Sequence, residues 1–68
     1  MAHRGKCRLD QLTAQMAGKT EDKVARDANI SIHFMHRGQI GNVFEQKDAQ
    51  RIADALGVSL ATLGQANL

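Results

Sequence analysis

The side chains best suited to chemistry crowd into one short stretch, at Ile32, His33, His36 and Arg37. Arg37 carries a planar guanidinium that can donate two hydrogen bonds to O6 and N7 of guanine, a pairing worth about 1–3 kcal/mol of discrimination. Its plainer role is a phosphate contact or a helix end. His33 and His36, three residues apart, can each hydrogen-bond a base edge or a phosphate, and a protonated imidazole would also attract a polyanion. The same spacing suits a metal pair, but His3 and Cys7 are distant in the chain, and ordinary surface imidazoles are the remaining alternative. Ile32 can meet a thymine methyl, or else turns inward by a shift of register. Phe34 is expected half-buried against the preceding helix or the following loop, with insertion into DNA as the alternative.

These residues need a rigid mount, and the stretch Thr20 to Gly41, TEDKVARDANISIHFMHRGQIG, is patterned as one. Val24, Ala28, Ile30 and Met35 have the spacing of the inner faces of two short helices, with Asn29-Ile30-Ser31 as the break. Ala25 falls where the helices must approach closely. Asn29 is expected at positive φ, which Asn tolerates better than most residues. Thr20 and Ser31 are placed to cap the two helices, and Glu21 and Asp22 put negative charge on the first one's positive end. If Ile30 and Met35 face inward, then Ser31, Ile32, His33, His36 and Arg37 form the outer arc.

At these positions the chain resembles the helix-turn-helix proteins of the Cro and lambdoid-repressor type, often called Xre-like. A second stretch, Arg51-Ile52-Ala53-Asp54-Ala55-Leu56-Gly57-Val58-Ser59-Leu60, is similar to an ending common in that family, and the resemblance runs from about Leu9 to Leu63. It implies an all-α, compact bundle of about five short helices. It also implies that the second helix of the motif enters the major groove, with Ile32, His33, His36 and Arg37 toward the bases. Lys19, Thr20, Ser31 and Asn42 would then contact the DNA backbone, aided by free N–H groups at the two helix starts. Glu21 stands where the family often has Gln, and a carboxylate facing phosphate weakens binding unless it turns aside toward Lys23. Gly38 and Gln46 occupy positions where larger apolar residues are usual, and Phe44 is a candidate to fill the space.

The remaining elements follow from local signals. Residues 1–7 read as a basic arm, whose Arg4 and Lys6, with Arg8 beside them, can reach the DNA backbone or a minor groove, or else stay loose. Leu9, Leu12 and Met16 predict a first helix from Lys6 or Arg8 to Ala17, stopped by Gly18. The motif's second helix should end near Arg37 or Gln39. Asn42 is expected to cap the next one, with Glu45 completing a capping box. Ala49, Ile52, Ala53 and Leu56 form that helix's apolar stripe, Gly57 ends it, and Val58 packs back on it. Ser59 then starts a short fifth helix carrying Leu60 and Leu63, and the last residues fray.

Composition narrows the function classes. Sixty-eight residues make a single domain, here 8–68, and one cysteine allows no internal disulfide. A formal charge of +2 permits a nucleic-acid partner without demanding one. Only two aromatic residues, Phe34 and Phe44, leave no stacking platform for a single strand. Asp10, Asp22, Asp27, Glu45, Asp48 and Asp54 read as solvated faces. With no phosphate-binding glycine loop, zinc spacing or triad, and no activating partner for Cys7, neither an enzyme nor a cofactor is expected. No apolar run reaches a membrane span or a secretory core, so a cytoplasmic protein is expected, and the resemblance implies a nucleoid-associated one of a prokaryote or phage.

The resulting expectation is a sequence-specific double-stranded DNA-binding regulator, a small Cro-like repressor. It would act as a homodimer through Leu60, Leu63, Ala66 and Leu68, unless Leu60 and Leu63 close the monomer core instead. The rivals are an antitoxin that represses its own operon while holding a toxin, and a helix-turn-helix module used only for protein contacts.

Overall fold

The computed structural model describes residues 5–67, and it corrects the expected all-α bundle: four helices are joined to a three-stranded antiparallel sheet. The order is β1 (Lys6–Leu9), α1 (Leu12–Gln15), α2 (Glu21–Ala28), α3 (Ile32–Gly41), β2 (Val43–Glu45), α4 (Gln46–Leu56) and β3 (Gln65–Asn67). The mixed α/β character arises at three places where a helix or a frayed end was expected.

The first is Lys6–Leu9. Leu9 fits a helical spacing with Leu12 and Met16, yet it also ends the alternating run Lys-Cys-Arg-Leu, and the alternation prevails. Cys7 and Leu9 are fully buried while Lys6 and Arg8 face out, the two-residue period of a half-buried strand. Lys6, Cys7 and Arg8 stand opposite Glu45, Phe44 and Val43 on one side. Cys7, Arg8 and Leu9 stand opposite Asn67, Ala66 and Gln65 on the other. Lys6 therefore belongs to a central strand rather than a loose arm, and the first helix shrinks to one turn at Leu12–Gln15.

The second is Asn42. Instead of starting a helix it ends α3 in the left-handed conformation, φ 55°, and its carbonyl accepts a hydrogen bond from the Leu9 amide at 2.8 Å. Glu45 is the N-cap residue of α4, but its side chain makes no capping bond, so the capping box does not form. The third is the expected fifth helix. Ser59 Oγ does accept a bond from the Thr62 amide at 3.2 Å, but the chain makes only turns before entering β3.

The core draws on every layer. Val24, Ala25 and Ala28 of α2, Met35 of α3, and Ala49, Ile52 and Ala53 of α4 pack with Cys7, Leu9, Leu12, Met16, Phe44 and Leu63. The stripes anticipated for α2 and α4 are the buried ones, and Ile30, Leu56 and Val58 lean against them. Gly57 ends α4 at φ 72°, and the Val58 amide bonds the Ala53 carbonyl at 3.0 Å. That bond reaches back over the last turn and satisfies a carbonyl the helix leaves open.

Candidate nucleic-acid interface

The α2–α3 unit is held by local bonds at every joint. Thr20 Oγ1 accepts from the Lys23 amide at 3.1 Å, and Ser31 Oγ accepts from the Phe34 amide at 3.0 Å, so both helices carry the expected caps. Asn29 has φ 61°, and the amide of Ile30 reaches back to the Ala25 carbonyl at 3.0 Å, which closes the α2 end tightly. Arg51 of α4 donates to the Asn29 carbonyl at 3.4 Å, tying the turn to the helix behind it. Ala25 is buried, as a close approach between the helices requires.

From this mount α3 presents the anticipated face. Ile32, His33, His36 and Arg37 are all exposed, Ile32 at 45%, and Met35 is the one residue of α3 buried beneath them. Arg37 forms no ion pair among the described residues. His36 Nδ1 lies 3.2 Å from Glu21 Oε1. The contact draws the carboxylate at the start of α2 toward the imidazole, not toward Lys23, whose own partner is Asp27 at 3.4 Å.

The backbone-contact candidates separate. Thr20 and Ser31 are exposed but spend a hydroxyl lone pair on the caps, while Lys19 is exposed in the loop before α2. Asn42 is half-buried at the end of α3. Lys6 and Arg8 project from the outer face of β1, and Arg4 lies outside the described residues. Of the residues expected to pair two copies, Leu63 is fully buried in its own chain's core and Leu60 packs against that core. Ala66 is exposed in β3, and Leu68 lies outside the described residues.

Three features were not anticipated. Phe34 is 60% exposed rather than half-buried, and Ile40 is 79% exposed at the far end of α3. The third is an open cleft of ≈ 680 Å³ between α3, β2 and α4, which Phe34 and Arg37 share with Lys6, Lys47 and Arg51. Its sequence signal is Gly38, whose missing side chain leaves the room that the Phe44 ring occupies, and both residues line the cleft.

Cys7, central in the sheet, is buried, and burial pushes its thiol up from the ordinary value against a smaller opposing effect of a Gln65 hydrogen bond. A thiol in that setting stays protonated and is a poor nucleophile. Among the described residues no three His, Cys, Asp or Glu side chains gather as a metal site, and no helix is long and apolar enough to cross a membrane. No family model matches the chain, and comparison with curated proteins and with solved structures gave no match.

Proposed function

We propose that this protein is a sequence-specific duplex-DNA-binding regulator that reads bases in the major groove with α3. The observation that carries the reading is the exposed set Ile32, His33, His36 and Arg37, mounted on a two-helix unit whose turn and both helix starts are fixed by local bonds. A helix about 10–12 Å across fits a groove about 12 Å wide, where each base pair shows its own donor and acceptor pattern. Preset caps and a closed turn mean that little backbone order has to be created on binding, which favours affinity. The resemblance to Cro and lambdoid repressors supports the same assignment and suggests a repressor that occludes a promoter.

In this reading Arg37 is the principal base reader and His33 a second donor or acceptor. Ile32 supplies an apolar contact, and Lys19 with the amides at the start of α2 holds phosphate. Two copies on half-sites one helical turn apart would supply the affinity that one small domain lacks. Their contact must use surface other than Leu63.

The test is fluorescence-anisotropy binding to a randomised duplex pool, with selection of the bound sequences, for wild type and Arg37→Ala at two salt concentrations. A two-fold symmetric site enriched by wild type, with its guanine positions relaxed in the variant, supports the reading. No binding above background even at low salt ends it. A second reading, a module that binds protein, draws on the exposed apolar side chains of Phe34 and Ile40 on α3. It requires a partner that co-purifies and an interaction indifferent to Arg37→Ala, whereas an antitoxin that represses its own operon would bind duplex as well as co-purify with its toxin.

A further inference from the structure

We propose that the cleft between α3 and α4 seats one sugar-phosphate strand of the duplex, with Lys6, Lys47 and Arg51 as its phosphate-binding residues. The inference rests on the DNA-binding reading and adds a second contact surface on a different flank of α3 from the α2 start.

Four cations from three elements line the cleft: Lys6 from β1, Arg37 from α3, and Lys47 and Arg51 from α4. Two carboxylates, Glu45 and Asp48, line it as well, so the cations outnumber the acids by two. The cations are available. Lys6 and Arg37 have no ion-pair partner among the described residues. Lys47 reaches Glu45 only at 3.9 Å, with its side chain 75% exposed. Arg51 spends one nitrogen on the Asn29 carbonyl. A guanidinium so anchored keeps other N–H groups to donate.

The sheet is what brings Lys6 here. Its register partner is Glu45, the residue before α4, and the Gly5 carbonyl accepts a hydrogen bond from the Gln46 amide. A cation from the start of the chain is thereby fixed beside α4. Arg37 belongs both to the base-facing set and to the cleft, so a duplex whose bases meet α3 brings a backbone strand alongside the cleft. Phosphate oxygens, one charge per step of about 3.4 Å along a strand, are what an array of partly unpaired Lys and Arg neutralises. An acidic peptide would meet the same charges, but only a duplex engages the cleft and the base-facing residues together.

The carboxylates make the test two-signed. On a duplex selected by the wild-type full chain, binding is measured from 50 to 200 mM salt for Lys6→Ala, Lys47→Ala, Arg51→Ala and the double variant Glu45→Gln/Asp48→Asn. Each alanine variant should flatten the slope of log affinity against log salt by about 0.9, so that affinity falls about 3.5-fold less over that range. Base preference should not change. The acid-to-amide variant should bind more tightly at low salt. Because Arg51 also braces the α2–α3 turn, Arg51→Lys serves as its companion: it keeps the charge and should hold the wild-type slope.

Unchanged slopes in all the alanine variants, with normal wild-type binding, overturn the cleft assignment and leave the DNA reading standing. Failure of the wild type to bind any duplex removes both. If the cation variants bind duplex normally but lose a labelled oligoglutamate peptide that wild type retains, the cleft takes acidic peptide and the proposal is wrong.

Discussion

Phe44 lays its ring over Gly38. A β-carbon at Gly38 would stand 2.6 Å from Cδ2 and Cζ of that ring and closer still to Cε2. Phe44 is itself buried, in β2 opposite Cys7, so the ring has packed neighbours to displace before it can swing clear. The missing side chain at Gly38 is therefore what lets Phe44 of β2 seat against α3.

Gly38→Ala should accordingly destabilise the fold. Alanine gains about 1 kcal/mol of helix propensity over glycine, but overpacking against a rigid, buried ring costs about 1–3 kcal/mol. A net loss in chemical denaturation is expected, and the double variant Gly38→Ala/Phe44→Leu should recover part of it. Stabilisation by Gly38→Ala alone would show that the ring moves aside freely.

Asn29 is the hinge of the candidate interface, at φ 61°. Asn29→Gly removes the β-carbon and should be close to neutral or stabilising. Asn29→Ala keeps the β-carbon in the left-handed region and loses the short polar side chain that eases it there, at a cost of up to about 1–2 kcal/mol. The measurement is a pair of urea unfolding curves. Equal midpoints for the two variants would show that the turn relaxes out of this conformation.

Thr20→Ala and Ser31→Ala each remove a cap and should each cost about 0.5–2 kcal/mol in the same assay. Any loss of DNA affinity beyond that explained by the unfolded fraction would mean that the hydroxyls, or the amides they order, also touch phosphate.

Leu63→Ala separates core from interface. Leu63 is fully buried within one chain, so truncation should cost about 2–5 kcal/mol of stability at any protein concentration. A variant of unchanged thermal stability that loses only self-association would place Leu63 in an interface between copies.

Cys7 should react slowly with a thiol reagent in the native state and quickly once unfolded, because the buried thiol resists ionisation. Its raised folded-state value also has a sign. The folded chain holds the thiol proton more tightly than the unfolded chain, so this group's stabilisation is intact below the ordinary thiol value of 9.0 and is lost as pH rises past it. Melting temperature should fall less steeply above that pH in Cys7→Ala than in wild type, relative to each protein's own value at neutral pH.

What the sequence determined by itself is the machinery of short range. The caps at Thr20 and Ser31, the left-handed Asn29, the Gly57 stop and the apolar stripes of α2 and α4 all stand as their neighbours within four residues dictate. With them came the exposed set Ile32, His33, His36 and Arg37, since the outer arc of a helix follows once its inner arc is known. The tertiary structure alone decided the sheet. Cys7 finds Phe44 and Asn67 as its partners, residues far along the chain, and the hydrogen bonds that turn Lys6–Leu9 into a strand cannot be seen in any local window. Leu9 satisfied a helical and a strand period alike, and distant pairing chose between them. The same pairing moved Asn42 from a helix start to a helix end, drew Leu63 into the core and carried Lys6 to the cleft beside α4. At that cleft Phe34 stands exposed, while Phe44, reaching in from β2, is the aromatic ring that is buried, against Gly38.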